Sequence, residues 1–197
     1  MSLLDQLSDV VVGQMTSQAA QKTGLSDSVT KQMLPMAMAV LMNGLKKNTS
    51  TPQGAEALSN ALERHDGSLL NDVNRIGADD VLIDGQKILG HIFGNKQSGM
   101  ESALANAAGA NQDQVSKLLA MAAPAVLASL GRAKKEQGLD VSDLAGLIAK
   151  EGVEAEQKAP NELSGLLRFI DQDGDGSVQD EVLGLGAKLL GGLFGRK

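Results

Sequence analysis

The sequence predicts an all-α protein: a multihelical bundle with an internal repeat, followed by a helix–loop–helix. Three observations point there. Apolar residues recur at three- and four-residue steps along nearly the whole chain, the spacing of one helix face. No run alternates apolar and polar residues as a half-buried strand would. Two stretches also reappear about half a chain further on, which fits a duplicated helical unit. With 197 residues and 42% hydrophobic composition, the chain is long and apolar enough to bury a core.

The elements follow in order. Leu3, Leu7, Val10, Val11 and Met15 form the first apolar stripe, and Gly24 suits the stop after it. Met33, Met36, Met38 and Met42 cluster on the next helix, as core or as an adaptable methionine surface. Thr51-Pro52 reads as a helix opening, a side-chain cap followed by proline in the first turn. Ala57, Leu58, Ala61 and Leu62 then share a face. Asn111 with Gln114 reads as a capping box for a helix running to about Lys135. Ser142 is the expected cap of another helix and Asn161 of one more. Pro35 and Pro124 fall inside apolar runs, so each should kink its helix or open a new one. Expected linkers are Lys46–Ser50, Asn95–Gly99, Gln137–Val141 and Glu154–Pro160. They divide the chain into a bundle over 1–153 and a helix–loop–helix over 154–197, packed on it.

Composition excludes several function classes. Acidic residues outnumber basic ones by 24 to 18, a net charge of −6, so attraction to nucleic acid or an anionic membrane is not expected. Phe93, Phe169 and Phe194 are the only aromatics, which leaves little for bases to stack on. Without cysteine there are no disulfides, thiolate metal sites or cysteine nucleophiles, consistent with a cytoplasmic protein. The opening MSLLDQLSDVVVGQM does not read as a signal peptide. No stretch of ~18 uncharged apolar residues is evident for a membrane span.

The repeat is clearest between GQKILGHIFGNK at 85–96 and GAKLLGGLFGRK at 186–197, an offset of 101 positions. An Asp-Gly-Ser precedes each copy, at Asp66–Ser68 and Asp175–Ser177. A weaker pair, offset by 86, matches Val29, Lys31, Ala37, Ala39, Val40 and Leu41 to Val115, Lys117, Ala123, Ala125, Val126 and Leu127. Gly90 and Gly94, and again Gly191 and Gly195, are four apart, which predicts tight packing against the facing repeat. The competing reading is that Gly184–Lys197, amphipathic with a basic end, docks on a membrane surface or a second copy of the chain.

GLSDSV at 24–29 through Leu45, GAEAL at 54–58, DGSLLND at 66–72, ILGHIFG at 88–94 and QVSKLL at 114–119 through Arg132 carry a family likeness. The chain resembles the YidB-like bacterial proteins over roughly residues 24–150, and an aspartate-rich tail recurs among them. The resemblance implies a multihelical bundle with an internal repeat. It implies no activity, since that family is one of unknown function.

DQDGDGSVQDEV at 171–182 is the most chemically specific stretch. Calcium takes six to eight oxygens from a sharply turning loop. Asp171, Asp173 and Asp175 stand at the first, third and fifth positions of an EF-hand-like loop, with Gly176 at the sixth. Ser177 offers a backbone carbonyl and Gln179 a direct or water-mediated ligand. Val182 replaces the usual bidentate glutamate, so Asp180 or Glu181 must close the shell, at a cost in affinity or selectivity. The plainer alternative is an acidic, solvated turn. Against it, two carboxylates ~4 Å apart repel by about 4 kcal/mol at an effective dielectric of ~20.

His65 and His91 are the only histidines. With Asp66, Asp79 or Asp80 they could form a metal-assisted hydrolase site, but no established catalytic motif supports it. Lys134-Lys135-Glu136 reads as solvated surface. The sequence therefore favours a non-enzymatic, calcium-binding structural or protein-interaction module. Its expected partners are calcium and another protein or a further copy of itself, with neither nucleic acid nor a membrane surface among them. The alternatives are the hydrolase and a peripheral membrane protein acting through the last helix.

Overall fold

A computed structural model describes residues 13–158. Among these the protein is all-α, without a sheet. Its helices are α1 (Gly13–Thr23), α2 (Asp27–Asn48), α3 (Pro52–Leu62), α4 (Asp79–Phe93), α5 (Gln97–Ala108), α6 (Gln112–Gln137) and α7 (Val141–Lys158). Short 3₁₀ turns at Ser68–Asn71, Val73–Gly77 and Gly94–Lys96 fill the longer connections.

The sequence places most helix ends by local chemistry. Gly24 takes a φ of 74° and its N–H donates to Ala20 O at 2.9 Å, closing α1. Ser26 Oγ accepts from Val29 N, and Thr51 Oγ1 from Gly54 N, opening α2 and α3. At α6 the capping box is reciprocal: Gln114 N donates to Asn111 Oδ1 at 2.9 Å and Asn111 N to Gln114 Oε1 at 3.1 Å.

Ser142 is not a cap. Asp140 takes that role, accepting from Asp143 N at 2.9 Å while Asp143 Oδ2 accepts from Asp140 N at 3.3 Å. Three expected linkers are also partly helical: Lys46–Asn48 belongs to the end of α2, Gln97–Gly99 to α5, and Glu154–Lys158 to the end of α7. Pro35 and Pro124 open no new helices, since α2 and α6 continue through them.

Helix α6 is the axis of the bundle. Helices α1 to α5 all touch it, and from Leu118 to Gly131 every residue is buried. A helix apolar all round must sit inside a protein or a membrane. Among the described residues α6 is the one helix long and apolar enough to cross a membrane, although Lys117 and Arg132 bound its uncharged run. Here 83% of its apolar window is buried against other helices. Helix α2 forms the second inner element, and its clustered Met33, Met36, Met38 and Met42 are all core. Helix α7 covers α2 and α3 with Leu144, Ile148 and Ala155.

Close approach to α6 depends on particular glycines. A Cβ at Gly85 would overlap the carbonyl of Ala120, and one at Gly131 the carbonyl of His65. The four-residue glycine pair does not do this work. Among the described residues nothing lies against a Cβ at Gly90, and Gly94 ends α4 with a φ of 56° and likewise no described neighbour; the facing repeat with Gly191 and Gly195 lies outside the described residues.

The two glycines of α4 should thus respond oppositely to the same change. Gly85→Ala should lose about 3 kcal/mol, at the upper end of overpacking effects, because backbone rather than a movable side chain blocks the methyl. Gly90→Ala should gain ~0.5–1 kcal/mol by removing a flexible residue from an exposed helix interior. Urea denaturation of the two variants checks both, and equal effects would contradict the packing described.

Candidate functional site

Helices α3 and α4 wall a cleft of about 950 Å³, with Pro124 and Leu127 of α6 in its floor. Leu45 and Asn48 at the end of α2 line it, and His65 and Leu69 enter from the connection after α3. The wall from α4 follows from its sequence. Asp80, Asp84, Lys87 and His91, at steps of four, three and four, form its polar edge, and Val81, Ile88 and Ile92 run beside them. The wall from α3 presents Gly54, Ala57, Leu58 and Ala61, a surface of mostly small residues. Asn48 Nδ2 donates to Ile92 O at 3.1 Å, tying the ends of α2 and α4 together.

The loop carrying His65 is fixed from both sides. His65 N donates to Leu62 O at 3.2 Å, and the His65 carbonyl lies against Gly131. Gly67 takes a φ of 93°, and Arg132 Nη2 donates both to its carbonyl and to Asn71 Oδ1, each at 2.7 Å. His65 is therefore held by backbone and arginine contacts, while His91 rides on a regular helix.

Both histidines line the cleft, and so does Asp80. Asp66 and Asp79 do not join them. Asp66 accepts from Ser68 N at 3.0 Å within its own turn, and Asp79 is 92% exposed, 3.9 Å from Lys22 Nζ. The carboxylate that meets a histidine is Asp84, with Oδ2 3.8 Å from His65 Nε2. That separation suits an ion pair with protonated histidine and is too long for a hydrogen bond. Asp80 is held by Arg75 Nη2 at 2.7 Å. Arg64 and Lys87 line the same cleft and pair with no carboxylate among the described residues. No group of three or more histidine, aspartate or glutamate side chains gathers there to hold a metal, again among the described residues.

Sequence reasoning missed Asp84, Arg64 and Lys87. The signal for Asp84 was its place one turn beyond Asp80 on the face that ends in His91. Lys134, expected in solvent, reaches back to donate to Ser59 O at 2.9 Å, although Lys135 and Glu136 are exposed. The calcium-loop residues Asp171, Asp173, Asp175, Ser177, Gln179, Asp180 and Glu181 lie outside the described residues, as do Asn161, Gly191 and Gly195.

Asp66 is the titratable group beside the cleft with a displaced pKa. The Ser68 backbone N–H, and then the Ser68 hydroxyl, hold its carboxyl below the ordinary value of 3.8. The folded pKa is depressed, so this contribution to stability is present above about pH 4 and is lost as pH falls through the folded value. A carboxyl NMR titration should place the Asp66 midpoint below 3.8. Ser68→Ala should raise it only in part, since the backbone donor remains. A wild-type midpoint at or above 3.8 would contradict the turn geometry.

A family profile described as a bacterial protein of unknown function (DUF937) matches residues 5–133. No curated protein and no solved structure matches the chain. The matched stretch contains both cleft walls and the α6 floor; α7 and the aspartate-rich segment fall beyond it. Agreement with the sequence resemblance extends to a bacterial family without an assigned activity. The chain belongs to the bacterial family of unknown function DUF937.

Proposed function

We propose that the protein is a non-enzymatic interaction module whose cleft receives an apolar helix face, and whose aspartate-rich segment binds calcium. One observation carries the interaction reading: an apolar floor lies beneath a rim where, among the described residues, the carboxylates are engaged and two cations are not. A floor of Pro124 and Leu127 flanked by Leu58 and Ile88 of the walls suits apolar side chains, and Arg64 and Lys87 suit a partner that brings carboxylates. The calcium reading rests on donor chemistry. Asp171, Asp173 and Asp175, with Asp180 or Glu181, supply hard oxygen ligands and no thiolate or imidazole.

The second reading, a hydrolase, is favoured by His65 and His91 lining one cleft with Asp80 and Asp84. It would require His65 to act as a base oriented by Asp84, and their 3.8 Å separation is loose for that role. The helix-receiving groove requires no such contact to tighten.

Calorimetric titration of the metal-free full chain with calcium should show saturable binding, weakened at least about tenfold in Asp173→Ala by loss of one charged ligand. Calcium at 100-fold above its dissociation constant should add about 2.7 kcal/mol to the folded state, read as a raised melting temperature. No binding heat, with melting unchanged between calcium and chelator, would remove calcium from the proposal. For the hydrolase, ester or phosphoester turnover abolished by both His65→Ala and His91→Ala would displace the interaction reading.

A further inference from the structure

We propose that the cleft is occupied by the chain's own segment Leu183–Phe194. The proposal rests on the interaction reading above and names the occupant. Four observations converge on it.

The first is where the described chain leaves the bundle. Helix α7 starts after α6, whose Lys134 reaches Ser59 in the second half of α3. By Gly152, α7 has come against Lys46 near the end of α2. It thus runs back along α3 and passes close to the α2–α3 turn, where Asn48 and Thr51 line the cleft.

The second is length. Residues 159–182, 24 of them (182 − 158), separate α7 from the segment. Fully extended they would reach ~80 Å, ample to round that turn. Helix α3, the shorter wall, has 11 residues, and the segment has 12 (194 − 183 + 1). As a helix the segment would be ~18 Å long, against ~16 Å for the wall.

The third is sequence. Gly186, Lys188, Leu190 and Phe194 repeat Gly85, Lys87, Leu89 and Phe93. In α4, Gly85 seats the helix on α6, and Leu89 and Phe93 are buried. Phe93 lies against Gly44 of α2, so the pattern seats one helix on both inner helices of the bundle. It recurs in the segment, and the cleft offers Leu45 and Asn48 of α2 and Pro124 and Leu127 of α6.

The fourth is charge. Asp171, Asp173, Asp175, Asp180 and Glu181 stand just ahead of the segment, and Arg64 and Lys87 on the cleft rim lack carboxylate partners among the described residues. Docking brings the two sets together. Calcium bound to those aspartates would compete with that attraction and would also fix the entry of the segment.

The absence of cysteine makes the test direct. Ala57 is exposed in the cleft, and Ile83 is 60% exposed on α4 outside it. In the full chain, Ala57→Cys with Gly191→Cys should form an intrachain disulfide at least about tenfold faster than Ile83→Cys with Gly191→Cys, because docking raises the local concentration of one thiol near the other. Ala61→Cys with Ala187→Cys is the second pair, in case the first variant misfolds. Equal rates for cleft and control positions would overturn the inference. So would disulfides formed only between two chains, which would make the occupant a second copy. Flotation of the full chain with phosphatidylglycerol vesicles, coupled with loss of the intrachain disulfide, would make it a lipid surface and likewise overturn it.

A bimane fluorophore on Ala57→Cys separates this failure from failure of the groove itself. It is read in full chain carrying Leu190→Glu while a synthetic 183–194 peptide is added. A blue shift with no intrachain disulfide in the wild-type tail overturns the tail as occupant and leaves the groove standing. No shift and no disulfide overturn both.

Discussion

The fold depends on one constraint, the burial of α6 on all sides. A helix apolar around its whole circumference cannot leave a face in water, so every neighbouring element must close on it. Alanines at positions 120, 122, 123, 125 and 128 keep its surface low, and Gly85 lets the backbone of α4 rest on Ala120. Gly131 does the same for the loop at His65. These close approaches set the cleft. Helix α4 is pinned by its Gly85 end, α3 is held at its far end by Lys134, and the gap between them opens over Pro124 and Leu127.

The polar edge of the cleft is governed by the same geometry. Seating Gly85 and Leu89 against α6 turns Asp84, Lys87 and His91 toward the rim, because the period of a helix leaves them no other place. Arg75 then holds Asp80, and the His65 loop, fixed by Arg132, brings an imidazole toward Asp84. The rim is thus a by-product of core packing. Its histidine–carboxylate approach among the described residues, His65 to Asp84, is 3.8 Å, an ion-pair separation rather than a hydrogen bond.

Helix type and most helix ends were legible because they are decided locally. Thr51-Pro52 and the Asn111/Gln114 box act within one turn of themselves. Ser142 was misread because Asp140 and Asp143 satisfy each other's N–H groups, a pairing that displaces a hydroxyl two residues in. The glycines were harder to place for a different reason. Four-residue spacing marks a face of α4 but says nothing of which face meets another backbone, and among the described residues Gly85, not Gly90, meets one. The candidate site divides in the same way. His65 and His91 could be named from scarcity alone, whereas their meeting in one cleft with Asp84 is a tertiary fact: His65 comes from a loop after α3 and Asp84 from the middle of α4.

The family match sharpens what the cleft can mean. It ends at residue 133, after the last floor residue and before α7. A chain built only of the matched part would possess both walls and the floor, yet would lack α7, which covers α2 and α3. Helix α7 has a second consequence beyond burying Leu144 and Ile148: by Gly152 it has brought the chain against Lys46, close to Asn48 and Thr51 of the cleft lining. If the proposed docking holds, attachment is what distinguishes the segment from a free partner, since a tethered segment occupies a weak site through local concentration, without any added contact.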